Sequence, residues 1–205
     1  PAQMLPVGKP KVLWQVGQNQ WHVDGPTAAT AEHVYVGSAY LEEERLGVCA
    51  LVCLDAATGQ TRWQTPLPHN PWADITLAGD LLIVGTSSIR FDPTTVAQGR
   101  GQVLALERAT GKVRWQQPLE RGAVLCGLAL DGELAIGTAT DGQVRAFEVA
   151  AGRIRWSYAA GAPLFAGCAV AKGVAYTVDF KNVVHAVDAA TGKLRWKHDL
   201  AADPA

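Results

Sequence analysis

Apolar residues along this chain fall at two-residue spacing or in short unbroken runs, and a glycine interrupts them about every ten positions. That is the pattern of strands. The runs Val34–Ser38, Leu81–Gly85, Leu134–Thr138 and Val174–Val178 are rich in β-branched and aromatic side chains. Each follows a run of smaller residues, Pro26–Thr30, Asp74–Ala78, Cys126–Leu130 or Gly167–Ala171. Tight turns join the pairs at Ala78-Gly79-Asp80, Asp131-Gly132 and Lys172-Gly173, where glycine supplies the positive φ of a hairpin. A third run comes next, Leu51–Asp55, Val103–Glu107, Val144–Glu148 or Val184–Asp188, and ends on an acid. Helical spacing is weak throughout, and its one candidate, Leu41–Leu46, reads as a loop with a single turn.

The acid opens a phrase that the chain repeats. Asp55, Glu107, Glu148 and Asp188 each stand four residues before a glycine, Gly59, Gly111, Gly152 or Gly192. Four residues further on comes a tryptophan, Trp63, Trp115, Trp156 or Trp196, with an arginine just before it. Self-similarity at fixed spacing marks a repeat architecture. The acid can accept hydrogen bonds from the turn, glycine takes a backbone conformation closed to other residues, and a fourth strand then ends at Arg-Trp. Each unit is a four-stranded antiparallel meander of about 40 to 50 residues, the size of a propeller blade.

The predicted fold is all-β, a β-propeller with four complete blades at 17–63, 64–115, 116–156 and 157–200. The repeat domain spans 11–200, with tails at 1–10 and 201–205. A buried indole of about 200 Å² at about 25 cal/mol per Å² contributes several kcal/mol, enough to dock one meander on the next. Trp63, Trp115, Trp156 and Trp196 are therefore predicted to be structural docking residues. Lys11–Val16 matches the end of the phrase without its beginning and is an extra fourth strand. The units therefore form a partial propeller, or half of an eight-bladed ring made by two copies joined head to tail. A closed ring of four blades would need sharper angles between them.

Composition narrows the function classes. Lys plus Arg number 18 against 19 Asp plus Glu, so no whole-chain field attracts nucleic acid or an anionic membrane. No apolar run reaches the roughly 18 residues of a membrane helix. The sequence opens on Pro1, so the lack of a leader at that point is uninformative. Cys49, Cys53, Cys126 and Cys168 allow three pairings, but Cys49 and Cys53 lie about 13 Å apart on one extended strand, too far for a disulfide. They are expected to be free thiols acting as small hydrophobes. The five histidines show no ligand spacing with them, and no metal site is predicted. Gly-x-Ser-x-Gly and phosphate-cradling glycine motifs are absent, and no catalytic residue is assigned.

The phrase Ala-x-Asp-x-x-Thr-Gly-Lys-x-x-Trp, kept best at Ala186–Trp196, resembles the tryptophan-docking motif of the quinoprotein, or pyrroloquinoline quinone (PQQ)-like, β-propeller repeat family. The resemblance covers Lys11–Leu200 and implies blades around a central channel with strand one innermost. Three kinds of protein carry the repeat: quinone-dependent dehydrogenases, non-catalytic scaffolds of the bacterial envelope, and sensor domains attached to kinases. In the dehydrogenases the resemblance implies a quinone under a disulfide of adjacent cysteines, with Ca²⁺ held by acids. This sequence has no adjacent cysteines, and its motif acids recur on every blade. No cofactor is expected, with PQQ and Ca²⁺ as the alternative. The bacterial envelope, on its periplasmic or extracellular side, is the location the resemblance implies.

Function is expected where the repeat breaks. Connections between strands two and three, and from blade to blade, share one face, and the long ones, Gln15–Gly25, Ala39–Gly47, Pro66–Ala73 and Ser87–Gly101, all belong to the first two blades. That face gathers Trp21, His22, Asp24, His69, Trp72, Arg90 and Asp92 as candidate ligand- or partner-binding residues, with Asn70, Phe91 and the charged run Glu42–Arg45 nearby. The expected function is a non-catalytic binding or scaffold module for a protein partner or small ligand. Self-association could complete the ring. The alternative is a PQQ-dependent dehydrogenase fragment or relative.

Overall fold

A computed structural model describes residues 11–17, 22–23, 25–41, 46–88 and 99–202. Among these residues sixteen strands form four separate sheets of four. The first blade holds β1 (Thr27–Ala29), β2 (His33–Leu41), β3 (Leu46–Asp55) and β4 (Thr61–Pro66). The second holds β5 (Thr76–Ala78), β6 (Leu81–Gly85), β7 (Gln102–Glu107) and β8 (Val113–Pro118). The third holds β9 (Ala129–Asp131), β10 (Leu134–Thr138), β11 (Gln143–Glu148) and β12 (Ile154–Ala159). The fourth holds β13 (Ala169–Ala171), β14 (Val174–Val178), β15 (Val183–Asp188) and β16 (Leu194–Asp199), followed by a 3₁₀ turn at Leu200–Ala202. Within each sheet the strands pair antiparallel with their sequence neighbours, which is the meander that the turn signals predict.

The apolar runs are unbroken because both faces of a blade are covered. In β6, Leu82 and Val84 join a cluster with Tyr35, Leu51 and Cys53 of the first blade. Ile83, one residue out of phase, joins Ala135, Ala139 and Phe147 of the third. Strand periodicity of two thus feeds alternate side chains to two blade joints, and the core lies between the sheets. A third cluster, with Ile136, Val144, Trp156, Ala175 and Val187, fills the joint between the third and fourth blades. Coverage fails on the last sheet, where every residue of β16 is exposed.

Strand four differs from expectation. It runs three residues beyond the tryptophan in each blade and carries a bulge at the arginine. Cys53 faces Trp63 while Leu54 faces Thr61, so Arg62 is extra, and Arg114, Arg155 and Arg195 occupy the same place in their blades. A bulge bends the strand and re-aims side chains. Here it frees the arginine to reach back to the corner acid while the indole points at the next blade.

Candidate functional site

The chemistry-bearing residues divide between the two faces of the array. On one face lie the corners. Asp55 Oδ1 accepts the Thr58 amide at 2.9 Å and the Thr58 hydroxyl at 2.9 Å, while Arg62 pairs with Oδ2. Asp188 repeats this with Thr191 at 3.0 and 2.8 Å and Arg195 at 2.7 Å. Glu107 takes the Thr110 hydroxyl at 2.8 Å and Arg114 at 3.0 Å. In the third blade Ala151 replaces the threonine, and Arg153 joins Arg155 on Glu148, at 2.9 and 3.0 Å. Arg62 pulls the Asp55 carboxyl well below the usual carboxylate range, and Arg195 pulls Asp188 down to about 2. Glu107 is lowered first by the Thr110 hydroxyl, and Glu148 first by Arg153. The motif acids are thus ionised acceptors locked into turns.

Each corner also receives an indole. Trp63 Nε1 donates to the Arg108 carbonyl at 3.0 Å, Trp115 to Val149 at 2.8 Å and Trp156 to Ala189 at 2.9 Å. The acceptor always lies three residues before the corner glycine, and the ring covers that glycine. A Cβ built on Gly111, whose φ is +71°, would stand 2.5 Å from Trp63 Cε3. Trp14 does the same to the first blade, donating to Ala56 at 2.8 Å above Gly59. The docking set that the sequence predicts therefore changes at both ends. Trp14 docks, whereas Trp196 is 48% exposed with no corner upon it among the described residues.

The opposite face carries the hairpins between strands two and three and the connections between blades. Of the predicted site residues, Trp21, Asp24, Arg90 and Asp92 lie outside the described residues, as do Phe91 and the run Glu42–Arg45. His22, His69 and Trp72 are all half-buried. His22 serves through its backbone, its carbonyl accepting the Ala39 amide at 3.0 Å. Asn70 is the clamp between the first two blades. Its Oδ1 accepts the Tyr40 amide at 2.8 Å and the Cys49 thiol at 2.7 Å, its Nδ2 donates to the Tyr40 carbonyl at 3.1 Å, and its own carbonyl takes the Ser87 amide at 2.9 Å. His69, next to the clamp, has its pKa lowered by burial and then by the Arg100 charge. His22 and the segment His69–Trp72 thus both anchor on the end of β2, with half-exposed Tyr40 between them.

This face also carries an aromatic pair outside the first two blades. Phe180, on the hairpin loop between β14 and β15, is 73% exposed and packs edge-on against half-exposed Phe165, on the connection from β12 to β13, with centroids 5.4 Å apart. The backbone there repeats the third blade: the Phe180 amide bonds the Pro163 carbonyl as the Thr140 amide bonds Ala123. Thr140 also accepts the Ala123 amide on its hydroxyl, at 3.0 Å, and is buried. Pro163 has no such amide to give, so no hydroxyl is needed at 180. The signal in the sequence was a residue that departs from the repeat within a loop that keeps it.

All four cysteines are free and none are neighbours, and the repeated acids are spent on corners of separate blades. Among the described residues no three His, Cys, Asp or Glu side chains converge as metal ligands, and no helix is long and apolar enough to cross a membrane.

Comparison with known proteins places these features. The sequence profile described as "Outer membrane protein assembly factor BamB" matches residues 8–94 and 92–204. The serine/threonine-protein kinase AfsK of Streptomyces griseus is 30% identical over 192 residues, covering 88% of this chain and 17% of the kinase. A europium-containing methanol dehydrogenase superposes with a TM-score of 0.67 at 14% identity, over 85% of this chain and 41% of that one. BamB from Moraxella catarrhalis superposes with a TM-score of 0.54 at 20% identity, over 92% of this chain and 76% of that one. The chain thus spans less than half the length of the kinase and of the dehydrogenase.

Proposed function

The chain belongs to the family of outer membrane protein assembly factor BamB, with its PQQ-like repeats, and from that premise we propose a non-catalytic propeller module that binds a protein partner on its loop-bearing face. The observation that carries this is the division of labour between the faces. The repeated acids and arginines are consumed at the corners, while the opposite face presents Tyr40, Phe165 and Phe180 to solvent beside His22, His69 and Trp72. Exposed aromatic side chains on a rigid scaffold are the usual anchors of protein interfaces. A stretch 30% identical to this one within a kinase supports its use as a module joined to other machinery. The envelope, outside the cytoplasm, is the proposed location, supported by the family's description.

The test is photo-crosslinking in the native host from a reactive residue at Phe180 or Tyr40, with a matched probe at the corner residue Lys112. A partner captured from the first two and lost in Phe165→Ala/Phe180→Ala supports the proposal. Equal capture from Lys112 overturns it. The second reading, a dehydrogenase relative, is favoured by the superposition on methanol dehydrogenase. Reduction of an artificial electron acceptor after adding PQQ and Ca²⁺ with alcohols or aldoses would establish it. The proposal takes neither group as cofactor and includes self-association, since the fourth blade presents Trp196 uncovered.

A further inference from the structure

We infer that Trp14 occupies the docking site through which a second copy of this chain joins head to tail, so that residues 11–17 hold that assembly in check. The inference rests on the self-association proposed above and adds the element that controls it.

One joint recurs within the chain. An indole N–H meets a carbonyl three residues before a corner glycine, at 2.8 to 3.0 Å, and the ring covers the glycine. In the joints made by Trp63, Trp115 and Trp156 the indole is delivered by a strand paired in a sheet, and an apolar cluster closes around it. The joint made by Trp14 lacks that support. Residues 11–17 form no strand, Val12 and Leu13 are each 75% exposed, and Val16 is 48% exposed. A single tethered side chain fills the receptor.

The matching donor stands at the other end. Trp156 is 8% exposed in its joint, whereas Trp196, at the same place in the repeat, is 48% exposed. Beside it lie Tyr176, with ring centroids 6.0 Å apart, and exposed Leu194. On the first blade Val34 and Val36, out of phase with buried Tyr35, are only half-buried, because among the described residues no sheet packs on that side of β2. The occupant that fits both surfaces is a second copy, whose Trp196 would donate to the Ala56 carbonyl over Gly59 while its fourth blade covers Val34 and Val36. Two such joints close a pair into a two-fold ring.

Trp14 and the incoming Trp196 compete for one carbonyl. A tethered group acts at an effective concentration of about millimolar, so at micromolar protein the internal indole keeps the site. Removing it leaves the blade cores intact, because Trp14 belongs to none of the three clusters.

The experiment is sedimentation of the 205-residue chain, wild type, Trp14→Ala, Trp196→Ala and the double variant, from 1 to about 300 μM, with circular dichroism verifying each fold. The expected result is a wild type that stays monomeric at concentrations where Trp14→Ala is dimeric, an apparent Kd at least tenfold lower for Trp14→Ala, and a monomeric double variant. A peptide spanning residues 11–17 should dissociate the Trp14→Ala dimer, and the same peptide with alanine for tryptophan should not. Equal association of wild type and Trp14→Ala, abolished in both by Trp196→Ala, would overturn the role of Trp14 and leave self-association standing. Monomers in all four chains at every concentration would overturn self-association, and this inference with it. A double variant that still associates would place the contact elsewhere and overturn the inference.

Discussion

Tyr158 on the outer strand of the third blade and His185 on the third strand of the fourth meet across the joint at 2.9 Å, hydroxyl to Nδ1. The other ring nitrogen lies 3.2 Å from Asp179 Oδ2, and Asp179 Oδ1 accepts the amides of Lys181 at 2.8 Å and Val183 at 3.0 Å. Burial raises the Asp179 carboxyl, but the bonds from the Val183 amide, His185 and the Lys181 amide outweigh it and hold the pKa below the usual value. An ionised carboxylate only accepts. His185 therefore donates from Nε2, the neutral ring accepts the Tyr158 hydroxyl at Nδ1, and both nitrogens of a 1% exposed imidazole are paired.

Tyr158→Phe removes that donor and strands Nδ1 in the joint, at a cost of about 1–2 kcal/mol. His185→Ala removes the ring as well and leaves a cavity, at about 2–4 kcal/mol. Urea midpoints should fall in that order, and the double variant should lose less than the sum, since the pair shares one bond. Additive losses would show that the hydrogen bond contributes nothing.

How much of this was legible in the sequence depends on whether the repeat carried it. The strand order, the corner at Asp55 to Gly59 and the docked Trp63, Trp115 and Trp156 all follow from positions that recur. The bulge did not, because it is a property of register: only the pairing of Leu54 with Thr61 and Cys53 with Trp63 shows that Arg62 is extra. The pairing of arginine with the corner acid seven residues earlier was nonetheless present in all four copies as a fixed spacing. Loop length pointed to the first two blades for binding, yet an exposed aromatic pair, Phe165 and Phe180, sits on the connection into the fourth blade, which is as long as the connection into the second, and on the short hairpin loop of the fourth blade itself. Exposure in a short loop depends on what the backbone neighbour can donate, as Pro163 and Ala123 demonstrate, and length does not report it.

Acid stability follows from the corners. Asp188 is held at about 2 against an ordinary aspartate value of 3.8, and Asp55 is displaced in the same direction. A depressed folded pKa adds stability that is fully present above the unfolded value and is lost as pH falls through the folded one. The melting temperature should therefore be insensitive to these groups from pH 7 down to about 4, then fall between about 4 and 2. Replacing Arg195 and Arg62 with glutamine should shrink that acid step. Because the pairs are solvent-exposed, 0.5 M NaCl should shrink it as well.

Turn glycines can be told apart by what lies above them, as hairpin Gly79 and corner Gly111 show. Gly79 has φ +59° with open space where a Cβ would go, so Gly79→Ala meets only backbone strain, about 1–2 kcal/mol. Gly111→Ala meets similar strain and must also push the Trp63 ring off its seat, adding about 1–3 kcal/mol of overpacking. Trp63 fluorescence should shift in the second variant alone. Equal losses in the two would mean that the indole is free to move aside.

Docked and undocked tryptophans give the sharpest contrast. Trp115 packs against the cluster between the second and third blades and donates to Val149, so Trp115→Ala leaves both a cavity and an unpaired carbonyl, at about 3–5 kcal/mol. Trp196 occupies the same place in the repeat, but with 48% of its surface in water and its strand exposed throughout, its loss should stay within about 1 kcal/mol in the monomer. Guanidinium midpoints at 1 μM measure both. A Trp196→Ala loss as large as that of Trp115→Ala would show that the indole is already docked in the single chain, and that the fourth blade is not open.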